Sequence, residues 1–172
     1  MEMYPKKEQT CCFTGHRPSK LPWGTNERNL KCLALKKRIR EELESLYQRG
    51  YRHFITGMAK GCDLYFAEAV IDLRNEHPDV TLEAAVPCKT QSDSWNRVEK
   101  KRYQKILDSC DVETLIQHVY TRDCMLRRNR YMVERSGAVL AAYDGLGGGT
   151  LYTLNYAERN GLETIIIPIL SD

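Results

Sequence analysis

The sequence feature that most restricts the fold of this chain is a regular alternation of short apolar runs with longer amphipathic stretches. Residues 138–143 form the clearest run, and because nearly all of them are apolar we expect a strand that is buried on both faces. Earlier in the chain, Leu35, Ile39 and Leu43 recur at the spacing of one helix face. No linker or internal repeat interrupts the alternation over residues 1–172. The pattern therefore predicts a single α/β domain with a mostly parallel sheet covered by helices on both faces.

The same periodicities give approximate bounds for each element. In the third predicted helix, Trp95, Val98 and Ile106 are expected to face the core. The predicted strands cover residues 10–14, 53–56, 80–86, 112–116, 138–143 and 164–170, and the predicted helices cover about residues 26–48, 63–75, 92–109, 122–135 and 150–159.

Composition narrows the possible partners. The chain is 42% apolar and 28% charged, which is typical of a globular protein that remains in water. Its net charge of +3 is too small to favour nucleic acid through bulk electrostatics. No apolar run is long enough to span a bilayer, and the polar start of the chain lacks a signal-peptide core. We therefore expect a cytoplasmic protein that does not contact membranes.

The cysteines and histidines do not indicate a disulfide framework or a metal centre. There are seven cysteines, an odd number, and no pair has the Cys-x-x-Cys spacing. Most lie within or beside apolar stretches, so buried free thiols are expected. The four histidines show no metal-ligand spacing either. We predict no metal and no cofactor.

Three of the predicted strands end in loops that are unlike plain connectors. These loops are residues 14–18, residues 56–61 and residues 144–150. In a parallel sheet all three open on the same edge, and ligands of such sheets bind beyond the carboxyl ends of the strands. This convergence is the clearest indication of function in the sequence.

The first two loops contain residue types that suit an anion. Gly15 allows close approach, and Arg17 supplies a planar fork of donors for phosphate or carboxylate. His16 is more typical of a residue that packs against the backbone. In the second loop Gly57 can take a positive φ, and Gly61 lets a ligand approach the unpaired amides of the next helix.

Asp63 stands at the start of that helix and has two interpretations. It could cap the helix as part of an ordinary strand-to-helix turn, or it could accept a hydrogen bond from a ribose hydroxyl.

The last loop is the second place where a helix start could hold an anion. Gly147, Gly148 and Gly149 precede Thr150. The spacing Gly145-x-Gly147-x-x-Thr150 approaches the dinucleotide fingerprint, but a threonine stands where a third glycine or alanine belongs. A phosphate or ribose site is therefore a better interpretation than an NAD site, and a flexible connector is the alternative.

A basic cluster, residues 127–131, lies on the fourth predicted helix. Arg127 and Arg128 are expected on a solvated face, and Asn129 and Arg130 are the better candidates for reaching the edge of the sheet. Trp95 lies in a polar stretch and could stack on a base, although core packing is the favoured interpretation.

These loops also resemble a known family. Residues 14–24, 55–63, 85–88, 124–133 and 143–150 are similar, in this order, to motifs of the YpsA-like family of bacterial proteins. That family belongs to the SLOG superfamily, which includes the DNA-processing protein DprA/Smf and the LOG phosphoribohydrolases. The resemblance implies a Rossmann-like three-layer α/β/α domain, a nucleotide or ADP-ribose-like ligand, a bacterial cytoplasmic setting and a possible homodimer.

One departure bears on catalysis. The LOG enzymes carry Pro-Gly-Gly-x-Gly-Thr-x-x-Glu at the last glycine turn, and the resemblance places Thr153 where their catalytic glutamate stands. A threonine cannot serve as that carboxylate. Asp144 and Glu68 are the carboxylates that could substitute, so the sequence leaves open whether the protein is an enzyme.

Together, the residues and the resemblance predict a cytosolic sensor or effector domain that binds a nucleotide or a nucleotide-derived ligand. The alternative is a nucleotide N-glycosidase of the LOG type, and DprA-like binding of single-stranded DNA is less favoured. The predicted ligand-binding residues are Gly15, His16, Arg17, Gly57, Met58, Ala59, Gly61, Asp63, Asn129, Arg130, Asp144, Gly148, Gly149 and Thr150.

Overall fold

A computed structural model describes residues 4–170 of the chain. Strands and helices alternate through these residues, as the sequence pattern predicts. The strands are β1 (Thr10–Gly15), β2 (His53–Thr56), β3 (Thr81–Val86), β4 (Val112–Leu115), β5 (Ala138–Tyr143) and β6 (Glu163–Pro168), and the helices are α1 (Leu30–Gln48), α2 (Cys62–Glu76), α3 (Arg97–Ser109), α4 (Cys124–Glu134) and α5 (Gly149–Arg159).

The six strands form one sheet in the order β4-β3-β2-β1-β5-β6. Every adjacent pair is parallel, so the prediction of a mostly parallel sheet is confirmed and extended. On β1, Cys12 lies opposite Ile55 of β2 and Val139 of β5. The strand order reverses between β1 and β5, which makes their carboxyl ends the topological switch point of the sheet.

The first strand divides its side chains between two cores. Cys11 and Phe13 belong to the core on the side of α1, α2 and α3, where the Phe13 ring stacks on that of Phe66 with centroids 4.6 Å apart. Cys12 points the other way, into a smaller core that α4 and α5 cover with residues such as Met132 and Leu154. This alternation with a period of two places helices on both faces, which gives the three-layer α/β/α architecture.

Two helices begin later than the sequence pattern predicts, because an asparagine further along acts as the cap. Asn29 accepts a hydrogen bond from the amide of Lys31, so α1 begins at Leu30 and not near residue 26. Asn96 accepts one from Glu99 at 2.9 Å, so α3 begins at Arg97.

The later start of α3 corrects one predicted orientation, that of Val98. Val98, expected to face the core, is 78% exposed. Trp95 lies in the turn before the helix, where it is half-buried and packs against the main core. Ile106 is buried as predicted.

The cysteines behave as expected from their apolar surroundings. All seven are free thiols, and all but Cys110 are buried. Burial raises the pKa of the Cys12 thiol to about 12, so that thiol is uncharged at neutral pH. Among the helices of residues 4–170, none combines the length and the apolar character that crossing a membrane requires.

Candidate functional site

The three unusual loops meet beyond the carboxyl ends of β1, β2 and β5. They surround a cavity of about 390 Å³ at the switch point, which we name the switch-point cavity. Its walls are formed by the end of β1, the loop after β2, one face of α4 and the first turn of α5. The lining residues are Phe13, Thr14, Gly15, His16, Arg17, Ser19, Lys20, Ala59, Asp63, Met125, Leu126, Arg128, Asn129, Met132, Gly149 and Thr150.

The predicted ligand-binding residues divide into those that line this cavity and those that do not. Lys20 and Arg128 line it without having been predicted. Eight predicted residues line it, namely Gly15, His16, Arg17, Ala59, Asp63, Asn129, Gly149 and Thr150, whereas Gly57, Met58, Gly61, Arg130, Asp144 and Gly148 do not.

The start of α2 is covered by the chain itself. The amide of Cys62 donates a hydrogen bond to the carbonyl of His16 at 3.2 Å. Gly61 has a φ of +83°, and a Cβ added there would lie 2.8 Å from the same carbonyl oxygen. A Cβ on Gly15 would lie 2.6 Å from the Cβ of Cys62. The expectation that Gly61 opens this helix start to a ligand is therefore wrong, because both glycines serve to pack the first loop against α2.

The second loop also uses its glycine differently from the prediction. Met58, and not Gly57, takes the positive φ, at 60°. Gly57 is needed because an added Cβ would lie 2.7 Å from Nη1 of Arg128 and 2.9 Å from Oδ2 of Asp63. Met58 is fully buried, and its side chain packs in the main core beneath the loop.

Arg128 is the largest correction to the predicted site. It is only 4% exposed, and its Nη1 donates to the carbonyl of Gly57 while its Nε donates to Oδ1 of Asn129 at 2.8 Å. Burial lowers the pKa of Arg128, and the carboxyl of Asp63 opposes that change. Arg130, predicted to reach the sheet edge, is exposed and donates to the hydroxyl of Tyr152 at 3.0 Å.

A signal for Arg128 was present in the sequence. Cys124, Arg128 and Met132 are spaced by four, and all three are buried on the inner face of α4. Arg128 was assigned to a solvated face because arginine is normally exposed to solvent. The many charged residues of α4 make its narrow buried stripe difficult to recognise from the sequence.

Asp63 is a buried carboxylate in the wall of the cavity, not the cap of α2. Gly61 holds the cap position, and Oδ2 of Asp63 accepts a hydrogen bond from the amide of Ala59 at 3.2 Å. Burial raises the pKa of Asp63 from 3.8 to about 6, although Arg128, the Ala59 amide and Arg17 act in the opposite direction. Asp63 can therefore exchange a proton close to neutral pH.

The start of α5, in contrast, faces the cavity. Gly148 precedes the helix, and within residues 4–170 no side chain caps it. The first amides of a helix have no partner within it and give its end a partial positive charge. The ammonium of Lys20 lies beside this end, 2.5 Å from where a Cβ on Gly148 would stand.

Lys20 and Arg17 add positive charge to this opening. Both are exposed, and in the described part of the chain neither side chain has a carboxylate within salt-bridge distance. A lysine ammonium beside the positive end of a helix is unfavourable in the absence of an anion between them. The arrangement is suited to a phosphate or carboxylate group.

His16 and Asp144 connect the first loop to the last one. Nε2 of His16 lies 3.0 Å from Oδ1 of Asp144 and 3.3 Å from its backbone nitrogen. The amide of Leu146 and the His16 ring lower the pKa of the Asp144 carboxyl. His16 is 4% exposed, in keeping with the packing role expected from the sequence.

Glu68, the other carboxylate considered for catalysis, does not line the cavity. Neither does Thr153, the residue at the position of the LOG catalytic glutamate. Glu68 accepts a hydrogen bond from Nε of Arg102 at 3.2 Å, and the same guanidinium binds Glu27. Thr153 is 1% exposed, and its hydroxyl donates to the carbonyl of Gly149 at 3.0 Å. Among the described residues, Asp63 is the carboxylate that lines the switch-point cavity.

One cluster in residues 4–170 has ligand atoms close enough for a metal ion. Glu44, Glu76 and His77 bring such atoms within 4.8 Å of one another on the surface. Glu44 lies 3.2 Å from Nε2 of His77, and Glu76 lies 3.5 Å from a guanidinium nitrogen of Arg40. Glu76 is already paired with Arg40, and none of the three residues lines the switch-point cavity.

The fold and the cavity define the class of protein as a Rossmann-like α/β domain with a polar cavity at the topological switch point. The YpsA family model, described as the YspA SLOG family, matches residues 11–165. The chain belongs to this family, which confirms the resemblance found in its motifs.

Curated relatives support the same family. A UPF0398 protein of Halalkalibacterium halodurans is 30% identical over 128 residues, which are 73% of this chain and 68% of that protein. The SPbeta prophage-derived protein YoqJ of Bacillus subtilis is 32% identical over 148 residues, which are 78% of this chain and 86% of that protein.

Solved structures share the fold. DNA processing protein A of Helicobacter pylori, described with a single-stranded DNA binding mode, superposes with a TM-score of 0.62 at 16% identity. DprA of Streptococcus pneumoniae gives a TM-score of 0.63 at 18% identity. Each match covers 94% of this chain but only 66% and 51% of those chains.

Proposed function

We propose that the switch-point cavity binds the phosphate groups of a nucleotide or a nucleotide-derived ligand, and that the protein acts as a cytoplasmic sensor or effector. The observation that carries this proposal is the position of Lys20 beside the uncapped start of α5. An anion bound between the Lys20 ammonium and the start of α5 would interact favourably with both and would offset their mutual repulsion.

The remaining polar groups suit the rest of such a ligand. Arg17 supplies a fork of donors at the mouth, and Arg128 adds positive charge within the wall. Asp63 and Asn129 offer acceptors for the hydroxyl groups of a ribose. The proposal includes the possible homodimer that the family resemblance implies.

Calorimetric titration and thermal unfolding test this proposal with ADP-ribose, NAD, ADP and inorganic pyrophosphate. A ligand at about 100 times its dissociation constant should raise the free energy of unfolding by roughly 2.7 kcal/mol. Arg17→Ala should reduce the effect, and Lys101→Ala, a change on an exposed face of α3, should leave it intact. Failure of every compound to bind the native protein would refute the proposal.

Asp63 favours one alternative, hydrolysis of a nucleotide N-glycosidic bond. A buried carboxyl with a pKa of about 6 in a cavity wall is suited to proton transfer at neutral pH. Incubation with nucleoside monophosphates and chromatography of the released base decides between the two functions. Catalysis predicts base release that Asp63→Asn abolishes while binding persists, and binding alone predicts no release.

Single-stranded DNA is a less favoured ligand, although the similarity to DprA makes it worth testing. The exposed arginines of α4 are already engaged: Arg127 pairs with Asp123 at 2.9 Å and Arg130 binds Tyr152. DNA binding would give an affinity that falls steeply with salt. We expect no measurable binding of single-stranded DNA at physiological salt concentration.

A further inference from the structure

A second cavity lies beside the switch-point cavity, toward β3. Its volume is about 600 Å³, and it shares Arg17, Ser19, Ala59 and Met125 with the first. We name it the Trp95 cleft, after the aromatic residue in its wall. Because the two cavities share a wall at Arg17, one extended ligand can occupy both.

The Trp95 cleft differs from the switch-point cavity in chemistry. Trp95, Tyr120 and Met125 give it aromatic and apolar surface, and Ser94 adds a hydroxyl group. Its lysine, Lys60, is neutralised by Glu99 at 2.6 Å. Apart from Arg17 on the shared wall, the lining residues of the cleft include no cation without a salt-bridge partner, so the cleft suits an uncharged aromatic group with polar edges.

The aromatic wall is held in place by its neighbours. The Trp95 ring makes an edge contact with Tyr103 at 5.1 Å between centroids, and the Lys60 ammonium lies 5.3 Å from its centre. Gln91 fixes Tyr103 by accepting from its hydroxyl at 2.9 Å, and it donates to the carbonyl of Gly57 at 3.0 Å. The same carbonyl binds Arg128, so the walls of the two cavities are joined.

We propose that the Trp95 cleft binds the base of a nucleotide whose phosphates lie in the switch-point cavity, with Arg17 between them. This inference rests on the proposed function and narrows it. The ligand class becomes an aromatic base joined through its sugar to phosphate, not a sugar phosphate alone. The shared chemistry, an aromatic base joined to phosphate, can come from a free nucleotide or from a single strand of nucleic acid.

The test compares ADP-ribose with inorganic pyrophosphate in calorimetric titrations of the native protein, Trp95→Leu and Tyr120→Leu. Loss of base stacking should weaken ADP-ribose binding by about 10- to 100-fold in Trp95→Leu, and less in Tyr120→Leu. Pyrophosphate affinity should remain within about twofold, since the anion site is untouched. Tyr120 is 59% exposed, so its variant should fold normally even if Trp95→Leu does not.

Fluorescence gives an independent readout, because the chain has two tryptophans. Trp23 is buried and donates from Nε1 to the hydroxyl of Tyr65, outside the cleft. The Trp23→Phe variant therefore reports on Trp95 alone. ADP-ribose should quench this signal, and pyrophosphate should not.

The outcomes separate this inference from the function on which it rests. Binding of pyrophosphate and ADP-ribose with equal affinity, and equal effects of both aromatic variants on the two ligands, would overturn the base site and leave the anion site standing. Absence of binding by any compound would overturn both. Quenching by an oligothymidylate in place of ADP-ribose would support the base site and identify a nucleic-acid strand as its source.

Discussion

The first turns of α2 and α5 start from similar sequence and reach different environments. Each follows a buried strand and a glycine turn, and each carries a small or polar residue in its first turn. At α2 the amide of Cys62 donates to the carbonyl of His16. At α5 no described side chain caps the helix, and the Lys20 ammonium adds its charge to the partial positive charge of the helix end. A helix start is thus available to an anion only where the chain does not supply its own acceptor.

The largest effect that we expect is the loss of folding stability caused by a substitution at Gly61. Gly61→Ala combines a φ of +83° with a contact of 2.8 Å to the His16 carbonyl, so we expect a loss of about 3 kcal/mol in the free energy of unfolding. Gly161→Ala is the comparison variant, because Gly161 also has a positive φ, +78°, but no described atom lies within 4 Å of the new Cβ. Urea unfolding of both variants measures the difference, and equal losses would mean that α2 is not closed by the first loop.

The next effect concerns Asp63, in the first turn of the closed helix. A carboxylate there is favoured by the helix dipole, yet burial dominates and raises its pKa to about 6. Between 3.8, its ordinary value, and about 6 the folded protein binds more protons than the unfolded chain, so this contribution to stability is lost as the pH rises through that window.

Comparison with Asp63→Asn isolates this contribution. A pKa difference of roughly 2 corresponds to about 3 kcal/mol as an upper value. Relative to the native protein, the variant should therefore gain up to that amount between about pH 4 and pH 7, as measured by urea unfolding at each pH. Stability profiles that run parallel across the window would show that Asp63 is ionised throughout.

At the open helix the expected effect is on ligand affinity. Lys20→Ala removes a charge-assisted contact of about 1.5–3 kcal/mol, so pyrophosphate should bind roughly 10- to 100-fold more weakly. The stability of the ligand-free variant should be unchanged or slightly higher, because Lys20 is exposed and lies beside another positive group. Calorimetry checks the affinity, and an unchanged dissociation constant would place the anion elsewhere.

The smallest effect is expected at Gly149, the first residue of α5. A Cβ there meets no described atom within 4 Å, so Gly149→Ala should raise the free energy of unfolding by about 0.5–1 kcal/mol. Its methyl group would stand at the mouth of the cavity and weaken pyrophosphate binding. A loss of stability in thermal unfolding would show that this turn is packed like the start of α2.

Much of the fold followed from periodicity. The strands of residues 138–143 and 53–56 match β5 and β2, because buried parallel strands leave a distinct apolar run. The starts of α1 and α3 were displaced by several residues, since Asn29 and Asn96 compete with earlier residues as caps. The convergence of three loops was predictable because parallel strands share one edge.

The site was less predictable, because its contacts depend on how elements pack. Arginine at position 128 was expected in solvent, and only the docking of α4 over the sheet brings it to Gly57 and Asp63. Lys20 was not predicted at all, since it lies in a short turn, Pro18–Lys20, where no periodicity indicates direction. Loop positions carry no repeat from which a face can be inferred.

The sequence alone determined the α/β class, the parallel sheet, the family and the edge at which the three loops meet. These depend on local periodicity and on residue types that act within a few positions of one another. Tertiary structure decided which glycine turn is closed, which arginine is buried and where the cations lie relative to the start of α5. Those features depend on contacts between segments far apart in the chain, such as His16 with Cys62 and Lys20 with Gly148.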